Sequence, residues 1–591
     1  MTQSQANFQL LCKQGFESHR RGALAEAESL YRQALLLAPA DFTARQLLGV
    51  LLAQQGRNVE ALEEISAALK ANPDSPPALF NQGNVLDALG RPEAALASFD
   101  RALALRPDYP EVLTSRGKVL RALGRIEDAL VSFDRALAVK PDFAEALNNR
   151  GNVLSDLERP AEALASFDKA ITLQPSHAAL HGNRGLALLA LNRPEEALAS
   201  FDRAIALQPG LADAHIHRGN ALRDLQRPGD ALQSYDNAIR LKPDSAVAHS
   251  NRGNALVDLN RPAEALTSYD GATGLNPDYA EAYLNQAQAL LVMGDLENGF
   301  RAYEWRRKCD KTAKTRVYSQ PLWLGQEDIA GKSLFLYWEQ GYGDTIQFCR
   351  YVQLAKARGA KVILSVQEKL RGLLQQLDVE IIGPAETPAQ FDYHAPLMSL
   401  PLAFGTAPES IPAQTPYLAA DDALRAQWKE KLGNNSKPNI GLAWSGAALH
   451  KNDRNRSIAL EKYLPLLTPD ANWISLQTDV RDSDRPVLNA NGQIKDFGAE
   501  LGDFRATAAL VQDMDLVITV DTALAHLAGA LGKPVWILLP FSPDWRWMLE
   551  RQDTPWYPSA RLFRQTRIGD WDNVIARVKT ELRGFVEAAR A

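Results

Sequence analysis

Prolines recur along the first half of the chain at a constant interval. They stand at positions 39, 73, 107, 141, 175, 209, 243 and 277, always 34 residues apart. In the unit 146–175, apolar residues fall at i, i+3, i+4 and i+7 in two stretches, separated by a short break near Glu158-Arg159-Pro160. Each unit is therefore predicted to be a pair of helices, with the recurring proline ending the second helix.

A small residue occupies the matching place in every unit. The series is Gly15, Gly49, Gly83, Gly117, Gly151, Gly185, Gly219 and Gly253, and Ala287 continues it. A small side chain there lets the two helices of a pair approach closely. Residues 1–308, with eight full units and a decayed ninth, resemble tetratricopeptide repeats. That resemblance implies a right-handed all-α superhelix with a long concave groove.

Polar residues stand two positions before most of these glycines. They are Asn81, Ser115, Asn149, Asn183, His217, Asn251 and Asn285. An amide both donates and accepts, so a row of amides can grip an extended peptide backbone without requiring one sequence. The row resembles the asparagine ladder of O-GlcNAc transferases, which implies that Asn81, Asn149, Asn183, Asn251 and Asn285 bind a protein substrate. The alternative is that these amides satisfy local backbone groups between repeats.

The second half of the chain has a different pattern, beyond a connector at 309–330 that contains Trp323. Short apolar segments alternate with helical ones. The first set of predicted strands is 332–338, 361–366, 379–383 and 391–397, with a helical stretch at 344–357. The second set is 438–446, 472–477, 494–498, 515–520 and 534–540. This alternation predicts two lobes with parallel sheets, at 331–432 and 433–591.

Loops that follow the strands are the places to look for chemistry, because open parallel sheets bind ligands beyond the carboxyl ends of their strands. In the first lobe, Gly341 and Gly343 let the backbone approach a ligand, and Asp344 lies at the start of a helix. The Asp344 carboxylate would be either a helix cap or a general base, and its position alone does not decide between them.

Two loops of the second lobe carry candidate phosphate ligands. His450, Lys451, Arg454 and Arg456 lie between a strand and a helix, where their cations could neutralise a diphosphate leaving group. A solvated polar loop is the alternative. The segment from Asp521 to His526 then turns from a strand into a helix, and we expect Asp521 to cap that helix while its first N–H groups form an anion site.

These loop residues resemble those of the ADP-heptose:lipopolysaccharide heptosyltransferase family. The matching motifs are Gly343-Asp344, the segment 521–526 and the segment 530–534. The resemblance implies a GT-B fold of two Rossmann-like lobes, Asp344 as catalytic base, Lys451 near the phosphates, and Asp521, Thr522 and His526 around a nucleotide-sugar. We add Gly343, Arg454, Arg456, Gln477 and Ala523 to the predicted nucleotide-sugar site. Ala523 replaces a glycine of the family motif, and the last helix is expected to pack back on the first lobe.

Other classes of site have less support. The chain has no GxGxxG or GxxxxGK[ST] motif after these strands, three cysteines without a CxxC spacing, and a formal charge of -6. We therefore expect a cytoplasmic protein without nucleic acid as partner and, because no run of about 18 apolar residues occurs, without membrane insertion. The GT-B resemblance implies that the reaction needs no metal or other cofactor. The triplet 482–484 has two aspartates that could hold a cation, but it is more typical of a solvated turn. Tryptophans at 545, 547 and 556, with Tyr557, are either core or a stacking surface.

Together these features predict a protein O-glycosyltransferase. The repeats would hold an acceptor protein, and the cleft would transfer a sugar from a nucleotide-sugar to Ser or Thr with inversion and without metal. The architecture also resembles bacterial enzymes that glycosylate flagellin, which makes flagellin a candidate acceptor. Two alternatives stay open: an acceptor that is a glycan or lipopolysaccharide core, and a scaffold whose α/β half is inactive.

Overall fold

The computed structural model describes residues 3–309, 316–433, 436–448 and 452–590. It divides into two compact units, Met1–Leu225 and Gln226–Ala591. Within the described ranges, none of the helices has the length and apolar character needed to cross a membrane.

The first unit consists of helices that pack in consecutive pairs. They are α1 (Gln3–Arg20), α2 (Leu24–Leu37), α3 (Phe42–Gln54), α4 (Asn58–Ala71), α5 (Pro76–Ala88), α6 (Pro92–Leu105), α7 (Pro110–Ala122), α8 (Ile126–Val139), α9 (Ala144–Asp156), α10 (Pro160–Leu173), α11 (Ala178–Ala190), α12 (Pro194–Leu207) and α13 (Ala212–Asp224). The paired-helix prediction is confirmed.

The repeated glycines explain how closely the paired helices approach. A Cβ added at Gly83 would lie 2.3 Å from the ring of Phe99, and one added at Gly151 would lie 2.5 Å from the ring of Phe167. Each ring is fully buried or nearly so, so a side chain at these glycines would force the helices apart.

The second unit begins with more repeat helices. They are α14 (Pro228–Leu241), α15 (Ala246–Asp258), α16 (Pro262–Leu275), α17 (Ala280–Val292), α18 (Leu296–Tyr303) and the short α19 (Arg306–Cys309). These helices belong to the same compact unit as the α/β half, because their loops and their last turn pack against it.

The first sheet is parallel and has four strands in the order β3-β2-β1-β4. The strands are β1 (Ser333–Tyr337), β2 (Lys361–Ser365), β3 (Glu380–Ile382) and β4 (Tyr393–Pro396), and Leu334 is opposite Val362. The helices of this lobe are α20 (Tyr342–Phe348), α21 (Tyr351–Ala357), α22 (Glu368–Leu374), α23 (Leu400–Ala403) and α24 (Asp422–Leu432). The predicted strands are confirmed, and the single helix predicted at 344–357 is divided in two.

The second sheet is parallel and has six strands in the order β10-β9-β8-β5-β6-β7. The strands are β5 (Asn439–Ala443), β6 (Asn472–Ser475), β7 (Ile494–Asp496), β8 (Leu516–Val520), β9 (Val535–Leu539) and β10 (Ala560–Arg564); the helices are α25 (Asp453–Arg456), α26 (Arg485–Ala490), α27 (Phe504–Gln512), α28 (Ala523–Ala530) and α29 (Trp571–Arg590). From β5 onwards this is the Rossmann order 3-2-1-4-5-6, and the first sheet has its first four strands. The edge strand β10 was not predicted.

Two further segments, the connector and the last helix, pack into the lobes. Trp323 of the connector is fully buried in the first lobe. Its backbone N–H donates to the carbonyl of His394 at the edge of the first sheet. The last helix, α29, does not return to the first lobe as expected. Its apolar residues, including Val574 and Val578, pack in the second lobe's core with Trp444, because that face of the second sheet would otherwise stay uncovered.

Candidate active site

The candidate site lies where the strand order of the second sheet reverses. Strands β5 and β8 are neighbours there, with Ala443 opposite Thr519. The loops after them begin at Trp444 and Asp521, so both loops leave the carboxyl edge of the sheet side by side. In open α/β sheets this reversal point is the usual place for a ligand.

Arg456 closes the space between those two loops. Its Nη1 donates to the carbonyl oxygen of Asp521 at 2.9 Å. A Cβ added at Gly446 would lie 2.7 Å from Nη2 of the same arginine, so a side chain there would displace the guanidinium. The buried Nε of Arg456 has no hydrogen-bond partner among the described residues. Arg456 is thus a cation at the sheet edge whose Nε–H is an unused hydrogen-bond donor.

The helix that starts at this edge, α28, has an uncapped first turn. Its N-cap is Thr522 rather than Asp521, and the Thr522 side chain makes no capping hydrogen bond. The Thr522 hydroxyl lies instead 3.3 Å from the hydroxyl of Thr519. The expected cap by Asp521 is therefore wrong, because the chain turns one residue later, and the helix N–H groups keep their capacity to bind an anion.

Asp521 lies in an unusual electrostatic setting. Burial raises the pKa of its carboxyl group to about 6, and the neighbouring Asp544 contributes in the same direction. Arg456 and Arg546 oppose this shift. The carboxyl group therefore titrates near neutral pH, which is a feature of many functional sites.

His526 packs α28 against aromatic residues of the second lobe. Its Nδ1 lies 2.9 Å from the hydroxyl of Tyr557, and its ring stacks on Trp547 with centroids 5.4 Å apart. Burial lowers the pKa of this imidazole well below its usual value, with help from Arg546 and Arg350, so the ring is neutral at physiological pH.

The Gly343-Asp344 turn of the first lobe packs directly against this helix. A Cβ added at Gly343 would lie 2.7 Å from Cδ2 of His526 and 3.4 Å from Cα of Ala523. Helices α20 and α28 thus meet at their first turns. The structure therefore brings together Gly343, Asp344, Ala523 and His526, which the sequence analysis had selected from segments nearly 180 residues apart.

Both oxygens of the Asp344 carboxylate have partners. Oδ2 accepts from the backbone N–H of Gly341 at 2.7 Å, and Oδ1 forms an ion pair with Nη2 of Arg546. The capping role that the sequence suggested is real, although it engages only one oxygen. The Asp344 side chain is 17% exposed.

Arg546 is the site residue that sequence reasoning missed. It is buried in the turn Trp545–Trp547 after β9, where Nε donates to Gln347 at 2.7 Å and Nη1 to Asp544 at 2.9 Å. Burial alone would lower the pKa of this guanidinium, but the carboxylates of Asp544 and Asp344 outweigh burial and raise it. A cation in the loop after β9, seven positions beyond the strand, is the sequence signal that could have found it.

The remaining predicted residues fall into three groups. Lys451, with His450, lies outside the described residues. Arg454 is exposed on the short helix α25. Gln477 is buried, and its amide bonds the backbone of Trp444, Ser445 and Asp479, which shapes the loop after β5. The hydroxyl of Ser445 in that loop is buried and has no partner among the described residues.

Burial bears on two segments for which the sequence left alternatives open, and it contradicts the solvated turn at Asp484. Asp484 of the 482–484 triplet is 3% exposed and accepts from Trp444 Nε1 at 3.0 Å and from the Leu460 N–H at 3.1 Å, so its carboxylate braces the fold. The aromatic residues Trp545, Trp547, Trp556 and Tyr557 are at most 4% exposed, which confirms that they are core.

The ladder residues lie on the first helices of the repeats and are half-buried. Nδ2 of Asn149 donates to the carbonyl of Glu145 at 2.9 Å, one turn earlier. Nδ2 of Asn183 donates to Oδ1 of Asn148 on the preceding first helix, also at 2.9 Å. Local hydrogen bonds therefore exist at part of the ladder, and each of these amides still has an acceptor oxygen to offer.

Comparisons with known families agree with both halves. Tetratricopeptide repeat models match residues 19–80, 60–110, 114–178, 150–212, 183–246 and 250–304. The glycosyltransferase family 9 (heptosyltransferase) model matches residues 502–564, which contain Asp521, His526 and Arg546. Segments of residues 19–304 are therefore similar to tetratricopeptide repeats, and residues 502–564 are similar to the heptosyltransferase family, in line with the two resemblances.

Individual proteins match parts of the chain. Protein FlbA of Caulobacter vibrioides is 30% identical over 329 residues, which are 50% of this chain and 54% of FlbA, so the match spans about half of each. YrrB, a TPR protein with an unusual peptide-binding site, is 27% identical over 32% of this chain and 96% of its own, with a TM-score of 0.29. A tetratricopeptide repeat protein from Parabacteroides merdae is 20% identical over 42% and 99% of the two chains, with a TM-score of 0.35.

Proposed function

We propose that the protein is a glycosyltransferase that moves a sugar from a nucleotide-sugar to a Ser or Thr hydroxyl of a protein held by the repeats. The observation that carries this proposal is the direct packing of the Gly343-Asp344 turn on the first turn of α28. The Asp344 carboxylate of the first lobe thereby comes close to the uncapped end of α28 and to a cation of the second lobe. Helix α28 lies in the segment that matches the heptosyltransferase model.

The donor's phosphates would bind on the second lobe. The first N–H groups of α28 and the guanidinium of Arg456 supply positive potential at the sheet edge. The buried hydroxyl of Ser445 adds a donor there. Lys451 and Arg454 remain predicted phosphate ligands. These groups are the basis for proposing a reaction without metal, because they can neutralise the charge that develops on the leaving nucleotide.

Asp344 would act as the general base. In the proposed step, the acceptor hydroxyl gives its proton to the Asp344 carboxylate while its oxygen forms a bond to the anomeric carbon. The bond from that carbon to the phosphate oxygen breaks on the opposite face, so the configuration inverts and the nucleotide leaves with its electron pair. Arg546 and the Gly341 N–H hold the carboxylate in place, which limits the conformations it samples.

The repeats would select the acceptor. Their amide row is suited to an extended polypeptide, and flagellin is the first protein to test because the overall architecture resembles flagellin glycosyltransferases. The cytoplasm stays the proposed location.

The direct test is transfer of radiolabelled sugar from a panel of UDP-, GDP-, ADP- and CMP-linked donors. We expect Asp344→Asn to lower transfer at least about 100-fold while donor binding survives, because the amide keeps the cap but is a poor base. Asp421→Asn is the matched control, since Asp421 also caps a helix, at Leu424, and also pairs with an arginine, Arg505. Transfer by Asp344→Asn at the wild-type rate would remove Asp344 from the base role.

The acceptor class has its own test. Replacing Asn149, Asn183 and Asn251 together by Ala should raise the KM for the protein acceptor without changing donor hydrolysis. Lys169→Ala with Arg203→Ala is the control, because both residues are exposed on second helices of the repeats. An unchanged KM in the triple variant would defeat the ladder hypothesis. Transfer only to oligosaccharide would favour the glycan alternative, and no transfer with any donor would favour the scaffold.

A further inference from the structure

The last two helices of the repeat region, α18 and the short α19, contact loops of both lobes. Arg306 of α19 is 3% exposed. Its Nη2 donates to Oε2 of Glu339 and to Oγ of Ser399, each at 2.8 Å, and its Nη1 donates to Oε1 of Glu304 at 2.7 Å. A guanidinium with this many buried partners holds them in one geometry, because moving any partner breaks a charge-assisted hydrogen bond.

Glu339 belongs to the loop that carries the candidate base. It follows β1 and precedes the Gly341–Asp344 turn by two residues. Burial raises the pKa of its carboxyl group, and Arg306 is the main opposing influence. The next residue, Gln340, donates from Nε2 to the hydroxyl of Tyr303 on α18 at 3.3 Å. Helices α18 and α19 therefore hold two successive residues of this loop, Glu339 and Gln340.

Helix α18 also contacts the turn that carries Arg546. The ring of Phe300 packs edge-on against Trp545 with centroids 5.5 Å apart, and Tyr303 lies 6.4 Å from the same ring. The guanidinium of Arg546 also lies over the ring of Trp545, 4.3 Å from its centroid. The indole ring of Trp545 thus contacts both α18 and the arginine that pairs with Asp344.

An earlier repeat holds the start of this second-lobe loop. Nδ2 of Asn260, in the turn between α15 and α16, donates to the carbonyl of Phe541 at 2.5 Å. In return, Oγ of Ser542 donates to the carbonyl of Val257 at 3.1 Å. The loop after β9 is therefore braced by repeat residues at its beginning and again at Trp545.

We infer that the last repeats are part of the catalytic structure, and that Arg306 is a positioning residue that sets the Asp344 loop and the Arg546 turn relative to each other. This inference rests on the proposed function, in which Asp344 is the base. It means that the repeats do more than recruit the acceptor. Because Asn251 and Asn285 lie on α15 and α17 of the same braced repeats, a polypeptide bound there would be held at a set distance from the base.

Two variants test the inference: Arg306→Lys keeps the charge but loses the planar fork, and Glu339→Gln keeps the shape but loses the charge. We expect each to lower kcat about 10- to 100-fold with the donor KM within about twofold, because a base displaced by about 1 Å reacts poorly. Arg425→Lys is the control, since its pair with Asp513 touches neither loop; the aspartate is as buried as Glu339, and the arginine is 34% exposed.

Amide hydrogen exchange provides a readout that needs no substrate. In both variants we expect exchange in residues 339–347 to rise at least about tenfold, while exchange in β2 stays at the wild-type level. Exchange and kcat equal to those of Arg425→Lys would overturn the positioning role. Faster exchange in a protein whose wild type transfers no sugar would support the positioning role and contradict the proposed function.

Discussion

Arginine pairs with carboxylates in two different settings in this molecule. In the first unit, Arg116, Arg150, Arg184 and Arg218 each contact an aspartate 16 positions earlier, at 2.6 to 2.7 Å, and those aspartates are 50–51% exposed. In the second unit, the Arg306–Glu339 side chains are 4% and 8% exposed, and those of Arg546–Asp344 are 8% and 17% exposed. The same chemical pair is thus repeated at the surface of the repeats and buried near the site.

The difference in burial determines what each pair can do. An exposed pair contributes little net stability, since water and salt screen it and ordering the side chains costs entropy. A buried pair is costly to break, because each partner left alone is a charge without solvent. The repeat arginines therefore tune a regular surface, whereas the buried arginines determine where the groups of the candidate site lie.

The largest effect is expected from removing the buried arginine at the site. Arg546→Ala would leave Asp344 and Asp544 without their shared cation, so we predict a loss of about 3 to 5 kcal/mol in the free energy of unfolding and at least about a 100-fold loss of transfer. Denaturant titration and initial rates measure the two quantities. Arg546→Lys should recover most of the stability but little of the rate.

A matched control for that variant is Arg561→Ala, whose pair with Glu581 lies on the same lobe with both side chains 40% or more exposed. It should change the free energy of unfolding by less than about 1 kcal/mol. If both alanine variants behaved alike, burial would not be the property that separates the two settings.

A smaller effect concerns Asp521 and its dependence on pH. Because the folded pKa is about 6 and the ordinary value is 3.8, the folded state binds the extra proton between pH 4 and 6. Stability from this group is therefore present below pH 4 and is lost as pH rises through 6. Asp521→Asn should be more stable than wild type by about 1 to 3 kcal/mol at pH 7, and the difference should vanish near pH 4.

Denaturant titrations of both proteins at intervals from pH 4 to 8 measure this difference directly. Asp503→Asn is a suitable control, because Asp503 caps α27 at the surface through Ala506. A wild-type minus Asp521→Asn difference that stays constant over this range would show that Asp521 is ionised throughout.

Much of the fold was predictable from the sequence because its signals are local. The 34-residue period and the alternation of apolar segments each arise from neighbouring residues on one helix or strand. The strand β10 was not predicted because its sequence, ARLFR, contains two arginines. It also lies at the sheet edge, where it pairs with only one neighbour. The face of the sheet that α29 covers is likewise decided by residues far away in the sequence.

The site was predictable only in part, for the same reason. Gly343, Asp344 and the segment 521–526 stand at strand ends, where position alone suggests a ligand. Arg546 became visible as a site residue only through its contact with Asp344, which lies 202 positions away in the chain. Periodicity contains no information about which distant loops will share a cation, and that partnership is decided by how the two lobes and the last repeats pack.

The smallest effect is expected at a repeat arginine. Arg184 donates from Nε to Asp168 on α10 and from Nη1 to Ser200 on α12, each at 2.7 Å, and so links three consecutive helices. Asp168 is half exposed, which limits the contribution of the pair, so Arg184→Ala should lower the free energy of unfolding by less than about 1 kcal/mol. Ser200→Ala removes only the neutral partner and should cost still less. A loss above about 2 kcal/mol for Arg184→Ala would mean that linkage across three helices, rather than burial, decides what an arginine pair contributes here.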